Sequence, residues 1–276
     1  LSPGENADKL YQEAKKFDKK VLGAKKALLA TKEQLEKIVQ TPQTVPLTRM
    51  RKPAYRRRWY EKFRWFRTSN NLLVVAGRDR HTNTVLVRKH MEPKDIYVHA
   101  QIHGAPSTII KTDSGKVTER DIEEAAIFAC SNSRAWREGL LAADTYWVYP
   151  EQVTQTPRAG ETLAPGSFVI RGKRNYIRNV KLELGVGLVK LPEEETQEPD
   201  PGHRVVCAPI TAIQKHSEKY LVIRPGKTRK SELAKIIHEK LVPDELKRDI
   251  TLDMIISVLP PGGSEITQEP KPTGKK

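Results

Sequence analysis

The stretch that most constrains this chain is Asp95 to Lys111, D-I-Y-V-H-A-Q-I-H-G-A-P-S-T-I-I-K. It opens as a strict alternation. Ile96, Val98, Ala100 and Ile102 fall on one side, and Asp95, Tyr97, His99 and Gln101 on the other. A period of two is the pattern of a half-buried strand whose apolar side lies on a core. The opposite side lines up an acid, a phenol, an imidazole and an amide, an unusual set for a plain solvated face. His103-Gly104 predicts a tight turn where backbone can approach a ligand. Ser107 to Lys111 reads as the next strand. The polar side of this ribbon is the expected working surface.

Charge narrows the class of partner. The 276 residues carry 49 Lys and Arg against 34 Asp and Glu, a formal +15. That favours a polyanion, nucleic acid or an anionic membrane. No run reaches the roughly 18 apolar residues of a membrane span, and no signal-peptide pattern is present. Cys130 and Cys207 stand alone and far apart, which fits a reducing cytosol better than a disulfide framework or a zinc cluster. The chain begins Leu1-Ser2-Pro3 rather than with Met, the expectation for a piece of something longer.

In order along the chain, Ser2-Pro3-Gly4-Glu5 is a helix start. Leu10, Ala14, Phe17, Val21, Ala24, Leu28, Thr31, Leu35 and Ile38 then keep a four-three spacing. That is a heptad seam with lysines and acids elsewhere, a coiled-coil arm on the order of 55 Å long that needs a partner. Pro42 to Pro46 breaks it. Arg51 to Arg67 holds eight basic residues and one acid, interleaved with Tyr55, Trp59, Tyr60, Phe63, Trp65 and Phe66. Basic groups attract phosphates and aromatic faces stack on unpaired bases; equally, Trp59, Phe63 and Phe66 at helical spacing would anchor a short helix to the core.

Further on, Leu72 to Ala76 predicts a buried strand, His81 to Met91 a helix, and Thr118 to Glu138 a helix capped by Thr118. Thr145 to Val153 and Ser167 to Ile170 read as strands, and Gly160 to Gly166 as a turn. Val180 to Val189 alternates and closes the unit. Glu193 to Asp200 is acidic and Pro-containing, a linker composition. Arg204 to Ile213 and Tyr220 to Ile223 are strand-like, Pro225-Gly226 turns the chain, Ser231 to Leu241 is helical, and Met254 to Leu259 reads as a last strand. The Lys/Pro/Gly-rich tail after Gly262 reads as disordered.

Among the motifs, His99 and His103 sit four apart, a metal-binding spacing on a helix. Here they span a strand and a turn without a Cys or carboxylate pair. Three readings stay open: a base- or sugar-contacting histidine, a satisfied structural one, and a metal-dependent nuclease. Arg171 to Lys181 carries five basic residues and no acid. Gly172 would let backbone approach a phosphate and Asn175 can donate to it. There is no nucleophile arrangement and no paired carboxylate, so no catalytic residue, cofactor or metal is expected.

Several of these motifs, in this order, resemble one family. Trp59-Tyr60-Glu61-Lys62-Phe63, Ala76-Gly77-Arg78-Asp79, Asp95-Ile96-Tyr97-Val98-His99-Ala100, Ile102-His103-Gly104-Ala105, Tyr146-Trp147-Val148-Tyr149 and Gly166 to Lys173 together resemble the NFACT-R domain of the NEMF/RqcH ribosome quality-control proteins. Leu1 to Gln40 looks like the first arm of that family's middle coiled coil. Cys207-Ala208-Pro209 with Arg224-Pro225-Gly226 and Lys230 is similar to its NFACT-C domain. The resemblance implies RNA binding, on tRNA and ribosomal RNA of a large ribosomal subunit that still carries peptidyl-tRNA. It also implies help in recruiting tRNA for C-terminal tailing of stalled chains, in the cytoplasm, with no membrane partner. The family's N-terminal and helix-hairpin-helix regions are not seen, so this chain by itself is not expected to support tailing. The second coiled-coil arm is missing or much shortened. Gln155 stands where relatives often have Lys, and Ser231 where the C-terminal motif has Gly.

The expectation is therefore an α+β chain: a coiled-coil arm over residues 1–45, a mixed-sheet RNA-binding domain over 46–192, a linker over 193–202, a small α/β domain over 203–265 and a disordered tail over 266–276. Its RNA-binding residues are expected to be Arg78, Asp79, Asp95, Tyr97, His99, His103, Gly104, Arg171, Gly172, Lys173, Arg174 and Asn175. The rival to RNA binding is a protein-interaction scaffold whose basic charge is incidental.

Overall fold

A computed structural model describes residues 3–40, 57–113, 116–156, 166–192, 200 and 202–272. The chain divides into two units, Leu1–Lys52 and Pro53–Lys276. In the first, Pro3–Gln40 is one continuous helix, α1. Leu10, Phe17, Val21 and Leu28 of the heptad seam are exposed along it. The side chains of Leu35 and Ile38, the expected cap at Ser2 and the break at Pro42 to Pro46 lie outside the described residues.

The second unit begins with a 3-10 turn at Trp59–Lys62, then β1 (Arg64–Arg67), β2 (Leu73–Ala76), α2 (Arg80–His90), β3 (Ile96–Ala100) and β4 (Thr108–Ile110). There follow α3 (Glu119–Ser131), α4 (Arg134–Arg137), β5 (Ala142–Val148), a 3-10 turn at Pro150–Gln152, the short pair β6 (Val153–Thr154) and β7 (Val169–Ile170), and β8 (Asn175–Lys181). Local chemistry places the helices. Asp79 caps α2 by accepting from the backbone N–H of Thr82 at 2.8 Å, while Thr82 Oγ1 accepts from the Asp79 N–H at 2.9 Å; this reciprocal box satisfies two orphan donors of the first turn. Thr118 and Asp121 form the equivalent box at α3. The expected single helix from Thr118 to Glu138 is two: Ser133 Oγ donates to the Cys130 carbonyl and accepts from the Ala135 N–H, which ends α3 and caps α4.

The strands of this region form one six-stranded sheet in the order β1-β2-β4-β3-β5-β8. The α+β class holds, but every pairing in the sheet is antiparallel where a mixed sheet was expected. Both faces of its centre are covered. On one, Val98, Ala100 and Ile110 pack with Phe128, Ala129 and Trp136 of α3 and α4. On the other, Val75, Ile109 and Val148 pack with Tyr60, Phe63, Leu86 and Val87.

A second sheet follows. β9 (Leu184–Lys190), β10 (His203–Ala208), β11 (Ser217–Thr228) and β12 (Ser264–Pro272) lie in the order β10-β9-β11-β12, with helices α5 (Ile210–His216), α6 (Lys230–Leu241) and α7 (Leu252–Val258). Five expectations are corrected here. Pro225-Gly226 does not turn the chain but lies within β11, and Arg204 to Ile213 is a strand only to Ala208 and helical from Ile210. Val180 to Val189 is not one closing strand: it breaks at Leu182, and β9 pairs with β10 and β11 rather than with the first sheet. Met254 to Leu259 is helical in α7, capped by Thr251. The stretch to Pro272 is strand β12 paired along β11, not a disordered tail; residues 273–276 lie outside the described residues.

The two sheets share a core. One hydrophobic cluster runs from Phe66 and Phe128 to Leu184, Leu221, Ile237 and Leu259. Polar contacts add to it. Arg64 donates to the carbonyls of Val258 and Leu259, Arg78 to that of Ser257, and Lys230 to that of Leu259, so three cations sit on the C-terminal end of α7, where the helix dipole is negative. Burial, with repulsion from the neighbouring cations of this cluster, lowers the pKa of Arg64 to about 10 and of Lys230 to about 8; Arg78 is lowered by burial and by Arg57.

Candidate nucleic-acid interface

The expected site residues separate into three groups, with His103 and Gly104 apart from all of them in the turn after β3. Arg78, Asp79, Asp95 and Tyr97 are committed to structure. Beyond Ser257, the Arg78 guanidinium donates to the carbonyls of Lys62 at 3.1 Å and Phe63 at 2.9 Å. Asp79 is the α2 cap. Asp95 is fully buried, 2.7 Å from Lys111 Nζ, and accepts from the backbone N–H groups of Glu92 and Thr112. Tyr97 is 2 % exposed, its hydroxyl 3.0 Å from Ser107 Oγ, and burial raises its pKa. The polar side of β3 is therefore not a free working surface. β3 lies inside a sheet covered on both faces, and its polar groups are internally paired, as burial requires.

His99, Arg174 and Asn175 form the second group, on or beside the sheet surface. Register puts His99 of β3 opposite Tyr146 of β5, and Tyr146 opposite Tyr176 of β8. The rings form a row: Tyr97 stacks on His99 at 6.2 Å, His99 lies 5.8 Å from Tyr146, and Tyr146 lies 6.0 Å from Tyr176. Tyr97 and Tyr146 are buried, at 2 % and 7 % exposed, His99 between them is half-buried, and Tyr176 at the sheet edge is 42 % exposed. Cations crown its open end. The Arg174 guanidinium sits 4.8 Å from the Tyr146 ring centre and that of Arg178 4.4 Å from Tyr176, within cation–π range. Asp144 fixes the edge, accepting from Arg178 Nη1 at 2.5 Å and from the Asn179 N–H at 2.9 Å. Asn175 Nδ2 donates to the Trp147 carbonyl at 3.4 Å. Burial, with Arg174 nearby, lowers the His99 pKa to about 4 against the pull of backbone hydrogen bonds at Ala100 and Ala105, so the ring is neutral at pH 7.

Arg171, Gly172 and Lys173 form the third group, an exposed turn leading into β8. Gly172 holds φ +77°, open to glycine without strain. Gln152 staples the turn: its Nε2 donates to the carbonyls of Arg171 at 2.8 Å and Lys173 at 2.9 Å, and its own carbonyl accepts from the Arg171 N–H at 2.8 Å. With those carbonyls occupied, the side chains of Arg171 and Lys173 remain at the surface. His103 and Gly104 are also exposed, with Gly104 at φ +80°, in the turn after β3. Among the described residues no group of three or more His, Cys, Asp or Glu could hold a metal. The arrangement offers phosphates a cluster of Arg and Lys and offers bases an exposed aromatic edge, which are the two elements of single-strand recognition.

Residues 62–172 match the sequence model of the family described as NFACT protein RNA binding domain. The chain belongs to the NFACT family. It is similar to the "Archaeal Rqc2 homolog aRqcH" of Methanocaldococcus jannaschii, 42% identical over 215 residues that make up 77% of this chain and 30% of that protein. It is also similar to the "Ribosome quality control complex subunit NEMF" of Homo sapiens, 38% identical over 65% of this chain and 17% of that protein. The Drosophila melanogaster homolog of NEMF is 37% identical over 75% of this chain and 21% of its own length. The chain thus spans less than a third of the curated relatives it matches. The NFACT RNA-binding match takes in His99, His103, Tyr146, Arg171 and Gly172; Arg174, Tyr176 and Arg178 follow directly after it.

Sequence reasoning missed Tyr146, Gln152, Tyr176 and Arg178 as parts of this NFACT surface. Tyr146 and Tyr176 lie far apart in sequence, and only strand register joins them. A usable signal was the alternation Arg174, Tyr176, Arg178, which puts two cations and a phenol on one side of a strand.

Proposed function

We propose that this chain is a non-enzymatic RNA-binding part of a ribosome quality-control factor in the cytoplasm. It holds tRNA or ribosomal RNA on a large ribosomal subunit that carries peptidyl-tRNA, and it helps recruit tRNA for C-terminal tailing of the stalled chain. Its similarity to ribosome quality-control complex subunits supports the ribosomal setting. The observation that carries the RNA reading is the aromatic row His99–Tyr146–Tyr176 ending at an open sheet edge under Arg174 and Arg178. Phosphates sit on the cations of this edge and of the Arg171–Lys173 turn, and a base or sugar lies against Tyr176. The exposed seam of α1 supports a partner arm along the helix.

The test is RNA binding by the whole chain across a salt series. With six or more phosphate contacts, affinity drops about a thousandfold between roughly 50 and 200 mM salt. Charge reversal at Arg171, Lys173 and Arg174 abolishes that slope while leaving partner binding along α1 intact. A flat salt response, or loss of partner binding with RNA binding kept, would overturn the proposal in favour of a scaffold.

A further inference from the structure

The aromatic and basic run at Arg51 to Arg67 has no part in the β8 edge. Within its described portion, packing sorts the rings. Tyr60, Phe63 and Phe66 are buried and Trp65 is half-buried. Trp59 differs, with 39 % of its surface exposed.

Its neighbours hold it rigidly. One face lies on the His90 imidazole, with ring centres 4.3 Å apart and planes 12° from parallel. Tyr60 and Phe63 meet it edge-on at 5.9 Å and 6.2 Å. The remaining surface of Trp59, 39 %, is open to solvent. His90 ends α2, and its Nε2 is buried without a hydrogen-bond partner. Burial and the nearby charges of Lys62, Lys111 and Lys89 depress its pKa, which keeps the imidazole neutral and the contact one of ring on ring. Lys111 is buried against Asp95, but Lys62 and Lys89 are exposed.

We propose that Trp59 is a second RNA contact, a fixed plate on which one unpaired base stacks while Lys62 and Lys89 hold the phosphates beside it. This rests on the reading that the chain binds RNA and adds the kind of RNA it takes: a strand with unpaired bases rather than a closed duplex. A ring already immobilised loses little freedom when a base lands on it, and stacking on an aromatic face accepts any base. A duplex buries its base faces and has none to offer.

The experiment compares a short oligoadenylate RNA with a duplex of equal length, both titrated against the whole chain. Trp59→Ala is expected to weaken oligoadenylate binding about five- to a hundredfold and leave duplex binding unchanged. Trp59→Phe, which keeps a ring on His90, retains most of the affinity. Since Trp59→Ala also removes packing, a second measurement uses the unaltered chain: photocrosslinking to a 5-iodouridine oligonucleotide, with the adduct expected on Trp59. If Trp59→Ala leaves oligoadenylate affinity unchanged and no adduct maps to Trp59, the plate is no RNA contact and faces protein instead. In that case Arg174→Glu with Arg178→Glu still weakens binding if the broader RNA reading is sound. If the unaltered chain binds neither RNA, that broader reading fails and this inference fails with it.

Discussion

β3 and β8 draw on the same side chains and use them oppositely. β3 follows Asp95 and carries Tyr97 and His99; β8 follows Arg174 and carries Tyr176 and Arg178. Both alternate, and both put a phenol between polar groups. β3 sits inside the six-stranded sheet and β8 at its edge. In β3 the polar groups therefore turn inward, to Lys111 and Ser107. In β8 they face outward, over the last ring of a row that begins in the core. Strand order, not strand composition, decides which tyrosine can meet a ligand.

That contrast can be broken most sharply at Asp95. Asp95→Ala removes the nearest and only buried carboxylate from Lys111, leaving Glu92 at 3.4 Å and Asp113 at 3.9 Å at the surface, and should cost up to about 3–5 kcal/mol of stability. Chemical denaturation measures the loss, and RNA affinity of the folded fraction should not change; a large loss of affinity would return β3 to the binding surface. Tyr176→Ala should do the reverse. It should weaken single-stranded RNA binding by about 1–3 kcal/mol and barely move the unfolding midpoint, because the ring is 42 % exposed.

His99 stands between the two strands and offers a pH test. Its folded pKa of about 4 lies below the ordinary histidine value, so the unfolded chain binds the extra proton first. Stability is whole above about pH 6.5 and falls as pH drops toward 4, by on the order of 2 kcal/mol at pH 5. Denaturation at pH 7 and pH 5 should show this, and His99→Gln should remove the His99 share of it. The smallest effect is expected at Tyr97→Phe. Losing the hydroxyl at Ser107 should cost about 1 kcal/mol of stability with no change in RNA binding; an RNA defect there would mean that the buried end of the row reaches the ligand.

Much of the architecture was legible where the signal is local. Thr118 marks its helix by side-chain capping, and Leu72 to Ala76 and Asp95 to Ala100 read as strands from their pattern, whereas Asp79, expected to bind RNA, is the cap of α2. What failed depends on distant partners. β12 has the composition of a tail and becomes a strand because β11 pairs with it. α7 is a short apolar segment, for which helix and strand periods look alike. The polar side of β3 looked free because nothing local reveals that Tyr60, Phe63 and α2 cover the sheet on that side. The turn from Arg171 to Asn175 was legible as a basic patch, whereas Tyr146 and Tyr176 needed the register of three strands.

β9 carries a consequence for how the chain could be divided. It precedes the acidic stretch that looks like a hinge, yet its two neighbours, β10 and β11, come after it. A protease that nicked the backbone between Leu191 and His203 would leave the earlier piece holding the middle strand of the later piece's sheet. The halves would behave as complementary fragments, migrating as one body in native conditions and parting only in denaturant.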